Sequence, residues 1–219
     1  MLKIENAEVF GFEAAIRGMR NPMNSWDKSD SYWTHIEDAE TGQTAKFEFF
    51  VGDNDLQLMK KLSKAGNDHA KYLRMINVTL DITAPLYWWK EADQYKVGTV
   101  TNSCSTMHKI HAKEFTLDDF SHDHMNEKSV YMLNELVRYL NAVREAFIET
   151  KVKQYWWQMI QLLPTSYNQK RTVQLNYQVL KNMYHARKNH KLDEWHTFCS
   201  WVEDLPYADH LITEKGDAG

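Results

Sequence analysis

Residues 76–83 alternate with a period of two: Ile76, Val78, Leu80 and Ile82 are apolar, and Asn77, Thr79, Asp81 and Thr83 are polar. One face of such a segment is buried and the other is wet, which predicts a strand in an antiparallel or mixed sheet. A helical period governs 127–150, where Met132, Leu133, Leu136, Leu140, Val143 and Phe147 recur on one face and predict a single long helix. Further helices are expected over about 151–163, ending near Pro164, over about 171–190, and from 192 to about 203. Asp53-Asn54-Asp55 offers a cap to a helix reaching about residue 65, with Leu56, Met59 and Leu62 on one face. Ala84-Pro85 opens a short aromatic helix over 86–93, because proline is accommodated in a first turn. The small, β-branched, hydroxyl-rich run 97–103 reads as loop or strand. Residues 20–25 are turn-rich, and Thr41-Gly42-Gln43 reads as a hairpin turn between short strands. Strands early and helices late predict an α+β fold, a mixed or antiparallel sheet packed with long helices, in a single domain spanning 1–219.

Composition narrows the class. An apolar fraction of 43% supplies a sizeable core, and eight Trp and eleven Tyr need rings or walls to pack against. A formal net charge of −4 argues against a protein that coats nucleic-acid polymers by counterion release. Cys104 and Cys199 form no disulfide framework, Glu5 and Glu8 interrupt the apolar N-terminus, and no run approaches the ~20 apolar residues of a membrane span. The expectation is a reduced, cytoplasmic protein that does not enter a membrane.

Candidate chemistry sits where polar groups fall on apolar faces. On a helix over 171–190, Asn176, Leu180, Met183 and Arg187 share a stripe. A buried Arg187 requires an anion or a planar acceptor edge, such as a phosphate or the imide edge of a pyrimidine. The plainer reading is a surface arginine at a helix C-terminus, where the dipole favours it. Residues 99–106, Thr-Val-Thr-Asn-Ser-Cys-Ser-Thr, offer hydroxyl and backbone donors to a phosphate, or form a solvated loop. The ten histidines show no zinc-type spacing, so no metal is expected. Nothing supplies Cys104 with a base, and a packed thiol is the plainer reading.

Two ordered stretches resemble the flavin-dependent thymidylate synthases. Gly66-Asn67-Asp68-His69, the alternating strand and Ala84-Pro85-Leu86-Tyr87-Trp88-Trp89 are similar to the approach to that family's signature, Arg-His-Arg-x-x-Ser-x-x-Glu-x-Ser-x-Arg-Tyr. Here Gln94-Tyr95-Lys96 stands for Arg-His-Arg, followed by Thr99, Asn102, Cys104, Thr106 and Met107, so every signature position departs. Leu163-Pro164 and then Asn176, Leu180, Asn182 and Arg187 fall in the family's C-terminal register without a gap, with Gln178 in place of an arginine. The matches run over 66–108 and 163–198 and indicate a divergent branch.

The resemblance implies a homotetramer with active sites between subunits. It implies FAD, a pyrimidine deoxynucleotide such as dUMP, and methylenetetrahydrofolate and NADPH as co-substrates. By carry-over, His69, Gln94, Tyr95, Lys96, Asn102 and Asn182 line the flavin. Glu91, Cys104, Ser105 and Arg187 contact the nucleotide, with Arg187 in the catalytic role. Lys90, Lys109 and Lys113 stand near enough in sequence to replace lost positive charge. Methyl transfer to C5 of dUMP is the family default. Hydroxymethylation of dUMP or dCMP, a catalytically inactive nucleotide- or flavin-binding homologue, and a purely structural helical protein are the alternatives.

Overall fold

A computed structural model describes residues 1–37 and 44–214. In chain order the elements are β1 (Lys3–Phe10), α1 (Phe12–Arg20), β2 (Tyr32–Glu37), β3 (Thr44–Phe50), α2 (Asp53–Lys64), β4 (Asn77–Pro85) and α3 (Leu86–Ala92). There follow β5 (Val100–Ser103), α4 (Glu127–Thr150), α5 (Lys153–Leu162), β6 (Asn168–Asn176), α6 (Tyr177–Arg187), α7 (Asp193–Glu203) and α8 (Ala208–Leu211). Four strands pair in the order β1-β4-β6-β5, and β2 and β3 form an antiparallel ribbon with Tyr32 opposite Phe50. The fold is α+β. The expected turn at Thr41-Gly42-Gln43 lies outside the described residues.

The period-two segment is strand β4, with Val78, Leu80, Ile82 and Ala84 buried and the residues between them half-exposed. The long helix keeps its expected bounds because Asn126 caps it, its side chain accepting from the Ser129 amide. It ends where Lys151 takes a left-handed conformation, φ 57°, so the next helix begins at Lys153. Met132 is exposed, and Val137 takes the inward position instead.

The largest correction concerns 171–190. Residues 168–176 are strand β6, not helix, and helix α6 occupies only Tyr177–Arg187. Gln169, Val173 and Leu175 are buried at alternate positions, and a two-residue period with β-branched Thr172 and Val173 suits a strand. Asn176 therefore caps α6, its side chain accepting from the Val179 amide at 3.1 Å, rather than joining a helical stripe. Two smaller corrections concern caps. Pro85 is the extended residue before α3, not part of its first turn. Helix α2 is entered from Gly52, and the carboxylate of Asp30, not 53–55, accepts its first amides, from Asn54 at 2.9 Å and Asp55 at 3.1 Å.

The chain divides into two compact units, one of residues 1–6, 80–96 and 101–173, the other of 7–79, 97–100 and 174–219. In the first, Leu133, Val137, Leu140 and Val143 of α4 and Met159 of α5 form a core with Ile110, Phe115 and Phe120. In the second, Met59, Leu73, Tyr177, Leu180, Tyr184, Trp195 and Phe198 are sealed from solvent, and Phe12 meets the Tyr177 ring edge-on at 5.7 Å. Gly11, at φ +101°, is required there: a Cβ would stand 2.2 Å from the Met75 carbonyl oxygen. Arg20 and Asp55, 2.6 Å apart and buried, tie α1 to α2. Among the described residues, no helix is long and apolar enough to cross a membrane.

Candidate active site

In the first unit, Trp88 and Trp89 anchor α3 in the core, and this leaves Glu91 half-buried on the same short helix. The single turn that follows carries Gln94 and Lys96 exposed and Tyr95 half-buried. Asn102 is exposed on β5, and Cys104 and Ser105 are exposed just beyond its end. Cys104 is thus not the packed thiol expected of a small-residue loop; Cys199 is the buried one. The Ser105 hydroxyl accepts from the amides of Met107 (3.2 Å) and His108 (2.8 Å), closing a tight turn.

Cys104 and Ser105 share a cavity of about 360 Å³ with Lys109, Lys113, Phe115 and Tyr167. Lys113 is paired with Asp119. Burial, with the Asp119 carboxylate nearby, pushes the Tyr167 hydroxyl above its ordinary value. The Lys109 ammonium, a hydroxyl and a phenol around one small cavity suit an anionic guest.

In the second unit, α6 presents Leu180 and Met183 to the core and ends at Arg187, which is half-buried. The Arg187 guanidinium lies 4.9 Å from the centroid of the fully buried Trp195 ring on α7. A cation held over an indole face has a restricted orientation as well as a partner. Asn182 is exposed, its side-chain oxygen accepting from Gln178 at 3.1 Å. Gly98 packs against the α6 cap: a Cβ there would stand 3.1 Å from Asn176 Nδ2 and 3.4 Å from Val179.

His69 is exposed at the wall of a larger cavity, about 1010 Å³, formed by α1, α2 and residues 65–75. Met19, Met23, Leu62 and Met75 supply apolar wall, while Asn21, Lys61, Asp68, His69 and Lys71 supply polar edge. No residue of α6 lines it. Asn182 and Arg187 are therefore brought together on one helix, Cys104 and Ser105 at one cavity, and His69 at another. Among the described residues, no group of His, Cys, Asp and Glu is placed to hold a metal ion.

Neither a protein-family model nor a curated protein matches the chain. Solved structures do, among them two crystal structures of flavin-dependent thymidylate synthase ThyX from Helicobacter pylori complexed with FAD and dUMP. Each superimposes with a TM-score of 0.71 at 16% identity; one match covers 97% of this chain and 98% of that one, the other 98% of both. The chain has the ThyX fold. What the two proteins share at this identity is architecture. The ThyX structures carry FAD and dUMP.

Sequence reasoning missed several residues beside these places. Lys61, Tyr72 and Met75 line the larger cavity but sit in elements that carry no motif. Arg171 was hidden by the helix expected over 171–190, and Gln169 lay in the stretch before it, to which no element was assigned; the alternation with Val173 and Leu175 is the signal that places both on the strand.

Proposed function

We propose that this protein is a flavin-dependent enzyme transferring a one-carbon unit to C5 of a pyrimidine deoxynucleotide. Its default form is conversion of dUMP to dTMP, with methylenetetrahydrofolate as carbon donor and NADPH as reductant. The observation that carries the reading is the ThyX fold over 97% of the chain, together with the cavity at His69.

The cavity fits FAD. Its volume of about 1010 Å³ stands at the top of the range usual for small-molecule sites, about 300–1,000 Å³. Its apolar wall of methionines and Leu62 suits a flat ring, Asn21, His69 and Asp68 offer hydrogen-bond partners to the polar rim, and Lys61 and Lys71 outnumber the one carboxylate of Asp68 toward the anionic tail of a dinucleotide. His69 would hold the cofactor from this cavity; the resemblance adds Gln94, Tyr95, Lys96, Asn102 and Asn182 as flavin contacts, contributed within the proposed tetramer by neighbouring copies. When bound, reduced flavin supplies hydride to the one-carbon unit on the pyrimidine.

The remaining work falls to side chains of this chain. Arg187, steered by Trp195, holds the pyrimidine edge and offsets negative charge that builds on the base as C5 becomes nucleophilic. Cys104 and Ser105 meet the nucleotide at the smaller cavity, where Lys109 supplies the positive charge that Thr106 lacks relative to the family signature, and Lys113 adds to it when it turns from Asp119. Glu91, on α3, faces the nucleotide as a further contact. The chain acts as a homotetramer in this reading, so that each site is completed by a neighbouring copy.

Mass spectrometry of the nucleotide formed from dUMP, FAD, NADPH and methylenetetrahydrofolate tests the proposal. A methylated product is expected; a hydroxymethylated product would move the assignment to hydroxymethyl transfer, and an unchanged nucleotide would leave a binding protein. Arg187→Ala is expected to lower turnover by about 10²–10³, the usual effect of losing one charge-stabilising donor. Unchanged turnover removes Arg187 from the catalytic role.

A further inference from the structure

We infer that Arg171, with Gln169, is a positioning residue that fixes both ends of the segment carrying the proposed flavin and nucleotide contacts. The inference rests on the function proposed above for its purpose, and on geometry within the first unit for its existence.

Arg171 is a strand residue with only 14% of its side chain exposed. Its guanidinium carbon lies 4.1 Å from the centroid of the Trp89 ring, itself buried at 3% exposure. Nη1 donates to Asp93 at 2.7 Å, and Nε donates to Gln169 Oε1 at 3.0 Å. The second bond dictates the orientation of the Gln169 amide, since only its oxygen accepts. Gln169 Nε2 is thereby turned to the Cys104 carbonyl, to which it donates at 2.7 Å. The backbone adds to both attachments: the Trp89 indole donates to the Gln169 carbonyl at 2.9 Å, and the Cys104 amide donates to the Lys170 carbonyl at 2.9 Å.

The two anchored points are informative. Asp93 immediately precedes Gln94-Tyr95-Lys96, and Cys104 immediately precedes Ser105. One guanidinium and one amide thus grip both ends of the span 94–103. Arg171 is held in place by three partners: Asp93 at Nη1, Gln169 at Nε and the Trp89 ring at its flat face. A cation this desolvated needs such partners. Where the family signature uses arginines inside the segment, this chain holds the segment from outside with an arginine on β6. The gain is orientation: displacements of about 1 Å in positioning groups can cost on the order of 100-fold in rate.

Hydrogen exchange and steady-state kinetics on the full-length protein test this together. In Arg171→Gln, amide exchange across 93–104 is expected to quicken by roughly tenfold or more, which corresponds to a lost positioning bond, while exchange in α4 is unchanged. Arg171→Lys, which keeps the charge to Asp93 but loses the fork, is expected to fall between the two. The KM for dUMP is expected to rise about tenfold in Arg171→Gln with kcat changing much less, because the segment binds rather than reacts. Asp93→Asn, at a half-exposed site, serves as the second, milder variant and is expected to loosen 93–96 alone. Unchanged exchange at 93–104 in Arg171→Gln and at 93–96 in Asp93→Asn overturns the inference, whatever the enzyme does. Faster exchange in a protein whose unsubstituted form retains no FAD and leaves dUMP unchanged would instead sink the function and leave the grip established.

Discussion

Arg20 and Arg171 each face an aspartate, at 2.6 and 2.7 Å, yet the two pairs do different things. Arg20 and Asp55 are 4% and 0% exposed. Arg20 also donates to the carbonyls of Ser25 and Lys28, and Asp55 accepts from the hydroxyls of Ser29 and Ser31, so the charges are sealed with their hydrogen bonds made. That pair pins the turn after α1 onto α2. Asp93, by contrast, is 53% exposed, and Arg171 turns its Nε to Gln169 and its flat face to Trp89. The same two residue types hold the fold where both are buried, and hold a surface segment where one is wet. Breaking a sealed pair strands a charge; breaking a wet one returns it to water.

The sharpest test of that contrast is Asp55→Asn, which leaves Arg20 buried against a neutral amide. Loss of about 3–5 kcal/mol is expected in urea unfolding, the usual cost of breaking a buried pair from one side. A loss below about 1 kcal/mol would mean that water reaches the pair.

Acid breaks the same pair without mutation. Burial pushes the Asp55 carboxyl up, but the Ser29 and Ser31 hydroxyls and Arg20 together outweigh it and hold the group below its ordinary value. A carboxylate depressed by folding contributes stability that is present above the unfolded pKa and is lost as pH falls through the folded one. Melting temperature should therefore drop through the acid range below about pH 4, and the drop should be shallower in Asp55→Asn. Parallel pH profiles for the two proteins would contradict this.

Smaller effects belong to the second pair. Arg171→Gln is expected to cost about 1–2 kcal/mol, from a desolvated cation over an indole and a charged hydrogen bond. Asp93→Asn, at a half-exposed site, is expected to cost no more than about 1 kcal/mol. If Asp93→Asn matched Asp55→Asn in urea, the contrast between sealed and wet pairs would fail.

Legibility in the sequence followed the strength of the local pattern. Strand β4 and helix α4 were readable because each has one dry face and one wet face over its whole length. The stretch 168–187 was not, because β6 passes into α6 without a loop, the only break being the cap at Asn176, which also suits a helical stripe. The cap of α2 was unreadable for another reason: Asp30 reaches it from far along the chain, and local spacing carries no record of such a bond. Of the candidate site, the C-terminal register of Asn182 and Arg187 was visible, whereas the cavity at His69 is built from α1, α2 and 65–75 by packing that no motif announces. The role of Gln169 and Arg171 depended on strand geometry and was lost with it.

Visible absorption of the purified protein after reconstitution with FAD, recorded before and after addition of dUMP, tests the central claim most directly. The account predicts retained flavin absorbance with bands that shift when dUMP enters. A protein that stays colourless through reconstitution and desalting would contradict it.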